Sequence, residues 1–276
     1  SGTVTGVENQ GSAETAVYAA EYVGKYVFFA ADDGIYAAPH GDWTGAQKVC
    51  DYSALAKNEL IYDLAYNTQD GNLYAIANPD AEGNGQRPSS LYTSLYRIVP
   101  ETGVMTRVAT VTVKAPNVPA NNDVINYDGY HALRAFTIDD SGNFYAVNHG
   151  MSYNDSSNYV YLYKWTLADV EGKTQVTLAP TGDPVWDSAS STTLYCTGYS
   201  SMAYDHDAKT VYLAAGFNAY TSENQSNALW KLDPDTGKLA LAGRIGLHTV
   251  GLYIVPKTES KTFTETPDVA SVKVSD

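Results

Sequence analysis

Apolar and polar residues alternate along most of this chain in short runs, and the runs are separated by Gly-, Asp- or Asn-bearing turns. A two-residue period places one set of side chains on each face of an extended strand. The clearest stretch reads IYDLAYN (61–67), turn TQDGN, LYAIAN (73–78), a long connection, LYRIVP (95–100), turn ETG and MTRVATVTV (105–113). A second copy reads LRAFTID, turn DSGN, FYAVNH (144–149), a connection, YVYLYKWT and, past Gly172, TQVTLA. A third reads SSMAYD, turn HDAK, TVYLAAG, a connection, LWKLDP, turn DTG and KLALAGRI. A shorter copy near the start gives KYVFFA, turn ADDG, IYAAPH and AQKVC. No segment carries a sustained helical stripe; 52–59 has room for a helical turn or two. The pattern predicts four copies of an up-and-down, four-stranded meander.

One such meander cannot bury both of its faces, whereas stacking meander on meander does. The LYRIVPETG and LWKLDPDTG segments resemble the β-propeller superfamily, in the loose style of quinoprotein and YVTN-type blade repeats, over residues 13–256. The resemblance implies an all-β propeller of four-stranded antiparallel blades and names no activity. Four copies are visible, and HTVGLYIVP (248–256) matches the innermost strands of the others. It is expected to close the ring by supplying the first strand of the N-terminal blade; an independent strand within 13–23 would instead make five blades. Residues 1–12 read as an N-terminal arm. Residues 257–276 change composition, and VASVKVSD resembles the opening strand of a bacterial immunoglobulin-like module, so they read as a linker or the start of a following module.

Composition narrows the function. With 44% apolar and 17% charged residues the chain can bury a core. The formal charge of −14 lacks the basic patch that nucleic acid requires and opposes docking on anionic lipid. No apolar run approaches the ~20 residues of a membrane-spanning helix, so no membrane insertion is expected. Twenty-three Tyr against 6 Phe, with much Thr, Ser, Asn and Gly, is the balance of a secreted or cell-surface β protein. The start at Ser1 fits a mature chain whose signal peptide has been removed. Cys50 and Cys196 sit in no metal-ligand spacing; both a bridge and two buried thiols are open.

The connections differ in length by side. Turns between first and second strands, and between third and fourth, are short throughout. Those between second and third strands and between blades are long, and in a meander they emerge on one face. Long connections inside compact domains are usually functional or disordered. They carry Tyr127, Tyr130, His131, His149, Tyr153, Trp186, Asp187, Tyr199, Phe217 and Tyr220, which are expected to ring one mouth as a ligand-binding set. Asn and Asp side chains such as Asn121, Asp123, Asn148, Asn154 and Asn218 lie among them. Aromatic faces beside short amides and carboxylates can stack a sugar while bonding its hydroxyls, or hold a polar peptide. Packing of these rings onto the disc, with Asn and Gly shaping turns, explains any one of them equally well.

Catalytic signals are sparse. Asp123, Asp128, Asp155 and Asp187 lie in the right region for glycan hydrolysis, yet Asp63 is the main inward carboxylate on the repeating strands. The five His show no HxH or HExxH spacing, although His131, His149 and His248 could meet at the mouth around a metal. No GxSxG occurs. The acidic turns at 32–34, 139–142 and 205–207 could offer oxygens to Ca²⁺, but hairpin geometry accounts for them without an ion. No catalytic residue and no cofactor is assigned. The expected partner is an extracellular glycan or protein, bound by a monomeric module of a larger surface chain. A propeller enzyme acting on a glycan and a plain structural spacer are the rival readings.

Overall fold

The computed structural model describes residues 16–79, 92–114, 132–148, 160–183, 185–187, 189, 192–193, 200–215, 228–245 and 249–256. Four sheets are arranged as the blades of a β-propeller, as the repeat pattern predicts. The first blade is β1 (Ala19–Val23), β2 (Tyr26–Ala30), β3 (Gly34–Pro39) and β4 (Gln47–Asp51). The second is β5 (Glu59–Asn67), β6 (Asn72–Pro79), β7 (Thr93–Val99) and β8 (Val104–Val113). The third holds β9 (Leu133–Ile138), β10 (Asn143–Asn148) and β11 (Leu162–Thr166). Three short strands come next, β12 (Gln175–Leu178), β13 (Trp186–Asp187) and β14 (Thr192–Thr193). The fourth blade is β15 (Ser201–Asp205), β16 (Thr210–Ala215), β17 (Ala228–Leu232) and β18 (Lys238–Arg244).

Apolar side chains fill the spaces between neighbouring blades. Phe28 and Ile35 of the first blade meet Leu64, Leu73 and Tyr96 of the second. Tyr74 and Leu95 meet Phe136, Phe144 and Trp165 of the third; the Phe144 ring lies edge-on to Tyr74, centroids 5.1 Å apart. Tyr145 and Val147 meet Met202, Leu213 and Trp230 of the fourth. Middle strands are covered on both faces, which is why β6 reads as an almost unbroken apolar run. On the outer strand β8 only every second residue faces inward, and the simple alternation returns.

Three details differ from the sequence reading. Ala19–Val23 is itself the innermost strand of the first blade, so KYVFFA, IYAAPH and AQKVC are its second, third and fourth strands. The closing segment reaches the first blade but forms no strand there: Gly251 lies against Ala19 and Ala20, and Tyr253 is stacked on Tyr22 with centroids 6.4 Å apart. TQVTLA does not complete the third blade. Its strand β12 runs parallel to β8 on the edge of the second blade. The third blade's outer place is taken by 180–185, where the N–H groups of Thr181 and Val185 donate to the carbonyls of Leu162 and Val160. The chain then adds β13 in parallel to β18. A single belt thus binds the outer edges of three successive blades.

Candidate binding face

The inner strands run side by side, so the ends of the disc are chemically distinct. On one end the short turns of the second, third and fourth blades touch. Gln69 Nε2 donates to the carbonyl of Asp140 at 2.5 Å, and the Asp140 carboxylate pairs with His206 and Lys209. Burial lowers the pKa of the His206 ring. Here the turn carboxylates serve the turns: Asp139 accepts from the backbone N–H groups of Ser141 and Asn143 and from the Tyr145 hydroxyl. Asp205 likewise accepts from Asp207 and Ala208.

At the opposite end lie the ends of the strands that the long connections join. Asn78, last but one in β6, donates through Nδ2 to the Leu133 carbonyl at 2.8 Å and accepts from the Thr93 hydroxyl at 2.6 Å. The same Thr93 oxygen accepts from the Leu133 N–H at 2.7 Å, locking the second blade to the third. Asn148 holds the matching place in β10 and accepts from the Tyr161 N–H. Two other residues stiffen this rim: the Arg134 guanidinium stacks 3.9 Å from the centroid of the Tyr62 ring, and both side chains are buried. Nearby, buried Glu59 accepts from the hydroxyls of Ser94 and Tyr96 at 2.6 and 2.5 Å, with Arg107 at 3.7 Å. The rim on which the long connections stand is therefore tied by hydrogen bonds within and between blades.

Two carboxyls occupy the axis. Asp63 is fully buried; Oδ1 accepts from the Leu64 N–H and the Ser201 hydroxyl, and Oδ2 from the N–H groups of Phe136 and Met202. One side chain from the second blade thus ties the third and the fourth. Glu21 does the same from the first blade to the second, accepting from the Tyr66 N–H at 3.3 Å and from that of Tyr22 at 2.7 Å. Glu21 is half-buried. Burial pushes both carboxyls up to about 8 against the lowering pull of the N–H donors, and Asp63 adds to the rise at Glu21. Neutral carboxyls at neutral pH suit a structural pin.

Of the expected ligand-binding residues, Tyr127, Tyr130, His131, His149, Tyr153, Tyr199, Phe217 and Tyr220 lie outside the described residues. Trp186 and Asp187 are placed in β13, on the outer edge of the fourth blade and not beside the axis. The half-buried Trp186 ring lies under Lys238, with Nζ 5.9 Å from its centroid. His131, His149 and His248 are likewise outside the described residues, as is Cys196; His40 packs between Tyr22 and Tyr253. Cys50 is a buried free thiol on β4, pushed up to about 12 by burial. Among the described residues no three His, Cys, Asp or Glu side chains gather as a metal site. Sequence reasoning singled out Asp63 and Asn148 but missed Glu21, the Tyr62–Arg134 stack and Asn78. Asn78 had a readable signal, since it stands near the end of the second strand of its repeat, as Asn148 does in the next.

No protein-family model matches the sequence, and no curated protein does. Among solved structures, an exo-β-1,3-galactanase from Clostridium thermocellum aligns at 14% identity and TM-score 0.48, over 80% of this chain and 47% of that one. An N-acetylgalactosamine deacetylase from F. plautii, in complex with blood group B trisaccharide, aligns at 13% identity and TM-score 0.45, over 88% and 73%. A luciferin-regenerating enzyme aligns at 10% identity and TM-score 0.44, over 85% of this chain and 64% of that one. Likenesses this distant do not transfer an activity. What the strands themselves establish is a four-bladed, all-β propeller with long connections rooted on one end and short turns on the other.

Proposed function

We propose that this protein is an extracellular binding module that recognises carbohydrate through the end of the disc bearing the long connections, without chemical turnover. The observation that carries the reading is the division of the two ends. One is closed by short, self-satisfied turns. The other is a stiff rim from which long segments rich in Tyr, Asn and Asp depart. A rigid scaffold reduces the entropy lost when such segments engage a ligand, and Tyr rings offer flat apolar faces for sugar rings. Tyr127, Tyr130, Tyr153, Tyr199, Phe217 and Tyr220 are the contact residues of this proposal, with His131 and His149 among them. Trp186 and Asp187, out on the fourth blade's edge, are not. The acidic surface and high Tyr content support a secreted or surface-tethered setting.

A glycan array probed with the wild type, Tyr130→Ala, Tyr220→Ala and Trp186→Ala tests this directly. Binding is expected to weaken at least about tenfold for each Tyr variant, about 1.4 kcal/mol, and to stay unchanged for Trp186→Ala. Absence of binding to every glycan by a folded wild type refutes the carbohydrate reading, and loss confined to Trp186→Ala refutes the choice of face.

A further inference from the structure

Arg107 is exposed, yet it is braced from inside the second blade, and a bulge decides where it points. Leu95 of β7 faces Ala109, but Tyr96 faces Arg107, so Val108 is an extra residue on β8. Residues three apart on a regular strand lie on opposite faces. The bulge instead brings Arg107 and Thr110 onto one face with Ser94 and Tyr96. From there the Arg107 side chain runs along β8 towards the end of the disc that bears the long connections. Its Nη2 donates to the Ser94 hydroxyl at 2.5 Å and to the Thr110 hydroxyl at 3.0 Å.

Behind this contact stands Glu59, whose side chain is fully buried. Its Oε1 accepts from the Ser94 hydroxyl, and its Oε2 accepts from the Tyr96 hydroxyl and the Ala56 N–H. Arg107 Nη2 is 3.7 Å from Oε1, beyond hydrogen-bond reach, so Ser94 transmits the bracing. One guanidinium nitrogen is thus fixed from within. Among the described residues no acceptor takes the N–H groups of Nη1 and Nε, which leaves three donors. Tyr92, the half-buried residue before β7, has its ring centroid 5.9 Å from the guanidinium carbon.

We propose that Arg107 and Tyr92 form a subsite for an anionic sugar, one carrying a carboxylate or a sulfate. The inference rests on the carbohydrate reading above and narrows its ligand class to acidic glycans. A charged, pre-positioned donor favours an oxyanion over a neutral hydroxyl, because charge-assisted hydrogen bonds are about twice as strong. The Tyr ring beside it offers a flat apolar face to the sugar itself. The chain's charge of −14 repels anions at long range, but physiological salt screens that repulsion beyond about 8 Å. Selection therefore acts at contact.

Titration calorimetry of the full chain in about 0.15 M salt tests this. The ligands are a hexuronate oligosaccharide beside its methyl ester, and a sulfated oligosaccharide beside its desulfated form. One anionic ligand is expected to bind at least about tenfold tighter than its neutral counterpart. The counterpart pair that shows this preference identifies the anion as carboxylate or sulfate. Arg107→Gln and Arg107→Met, two substitutions at an exposed position, are each expected to bring that ratio to about one. Because the ratio compares two ligands on the same protein, either variant that folds gives the answer. Equal binding of anionic and neutral forms by the wild type overturns the subsite and leaves the carbohydrate reading standing. So does a preference that the Arg107 variants retain. A folded wild type that binds none of the four ligands overturns the subsite too, while the glycan array decides the broader reading separately.

Discussion

Replacing Asp63 by Ala separates the two opposing forces at the axis. The carboxylate is the acceptor for the N–H groups of Phe136 and Met202, which come from two different blades, and for the Ser201 hydroxyl. A buried donor stripped of its acceptor costs about 1–3 kcal/mol. Orphaning the two inter-blade N–H groups therefore destabilises the fold by about 2–6 kcal/mol. The wild type carries a cost of its own, which depends on pH. A carboxyl lifted from 3.8 to about 8 is protonated in the folded state while ionised in the unfolded one. Folded Asp63 therefore holds more protons across that window, and stability falls as pH rises. At 1.36 kcal/mol per unit the full fall is about 6 kcal/mol, complete near pH 8 and absent below about pH 4. Asp63→Ala should be strongly destabilising at pH 5 and far milder at pH 8, where removing the buried acid offsets the lost bonds. Urea unfolding followed by Tyr and Trp fluorescence at the two pH values, compared at equal m, measures this. A cost below about 1 kcal/mol at pH 5, or the same cost at pH 8, refutes the role given to Asp63.

Ser201→Ala removes the acceptor of the Leu252 N–H and should loosen 251–256 by about 1–2 kcal/mol. Faster amide exchange at Leu252, with β9 unaffected, checks it. Gly103→Ala should cost more than about 2 kcal/mol, because Gly103 has φ of +67° and an added Cβ would lie 1.8 Å from the Val49 carbonyl oxygen. A melting temperature unchanged in that variant would show that the turn docks on β4 less tightly than this geometry requires.

Most of the architecture was legible because blade packing imposes period and spacing together. LYRIVPETG and LWKLDPDTG mark third strands and the turns after them, and these fell where expected. The first blade differs in its inner strand alone: 248–256 was expected to supply it, and AAEYV supplies it instead, with ADDG joining β2 to β3. AAEYV was read only as the alternative that would add a fifth blade, being short and carrying a Glu in its centre; it opens the first blade, and that Glu faces the axis for a reason no local pattern encodes. TQVTLA has the alternation of any outer strand. Nothing in it says which blade's edge it joins, since edge pairing is decided by where the chain arrives. The binding face was legible as a division of connection lengths. Trp186 was grouped with it by its position between two blades, whereas the belt carries it to the periphery.

That belt also changes what the disc offers to strangers. Without it, the ten-residue β8 and the seven-residue β18 would each present an open ladder to any passing strand. With it, β12 covers Thr110–Val113 of β8 and β13 covers Lys238 and Leu239 of β18, so the stretch of each strand left beyond its partner is shorter. Shorter templates capture foreign β-structure less readily. Neighbouring copies crowded together are then less prone to pair edge to edge.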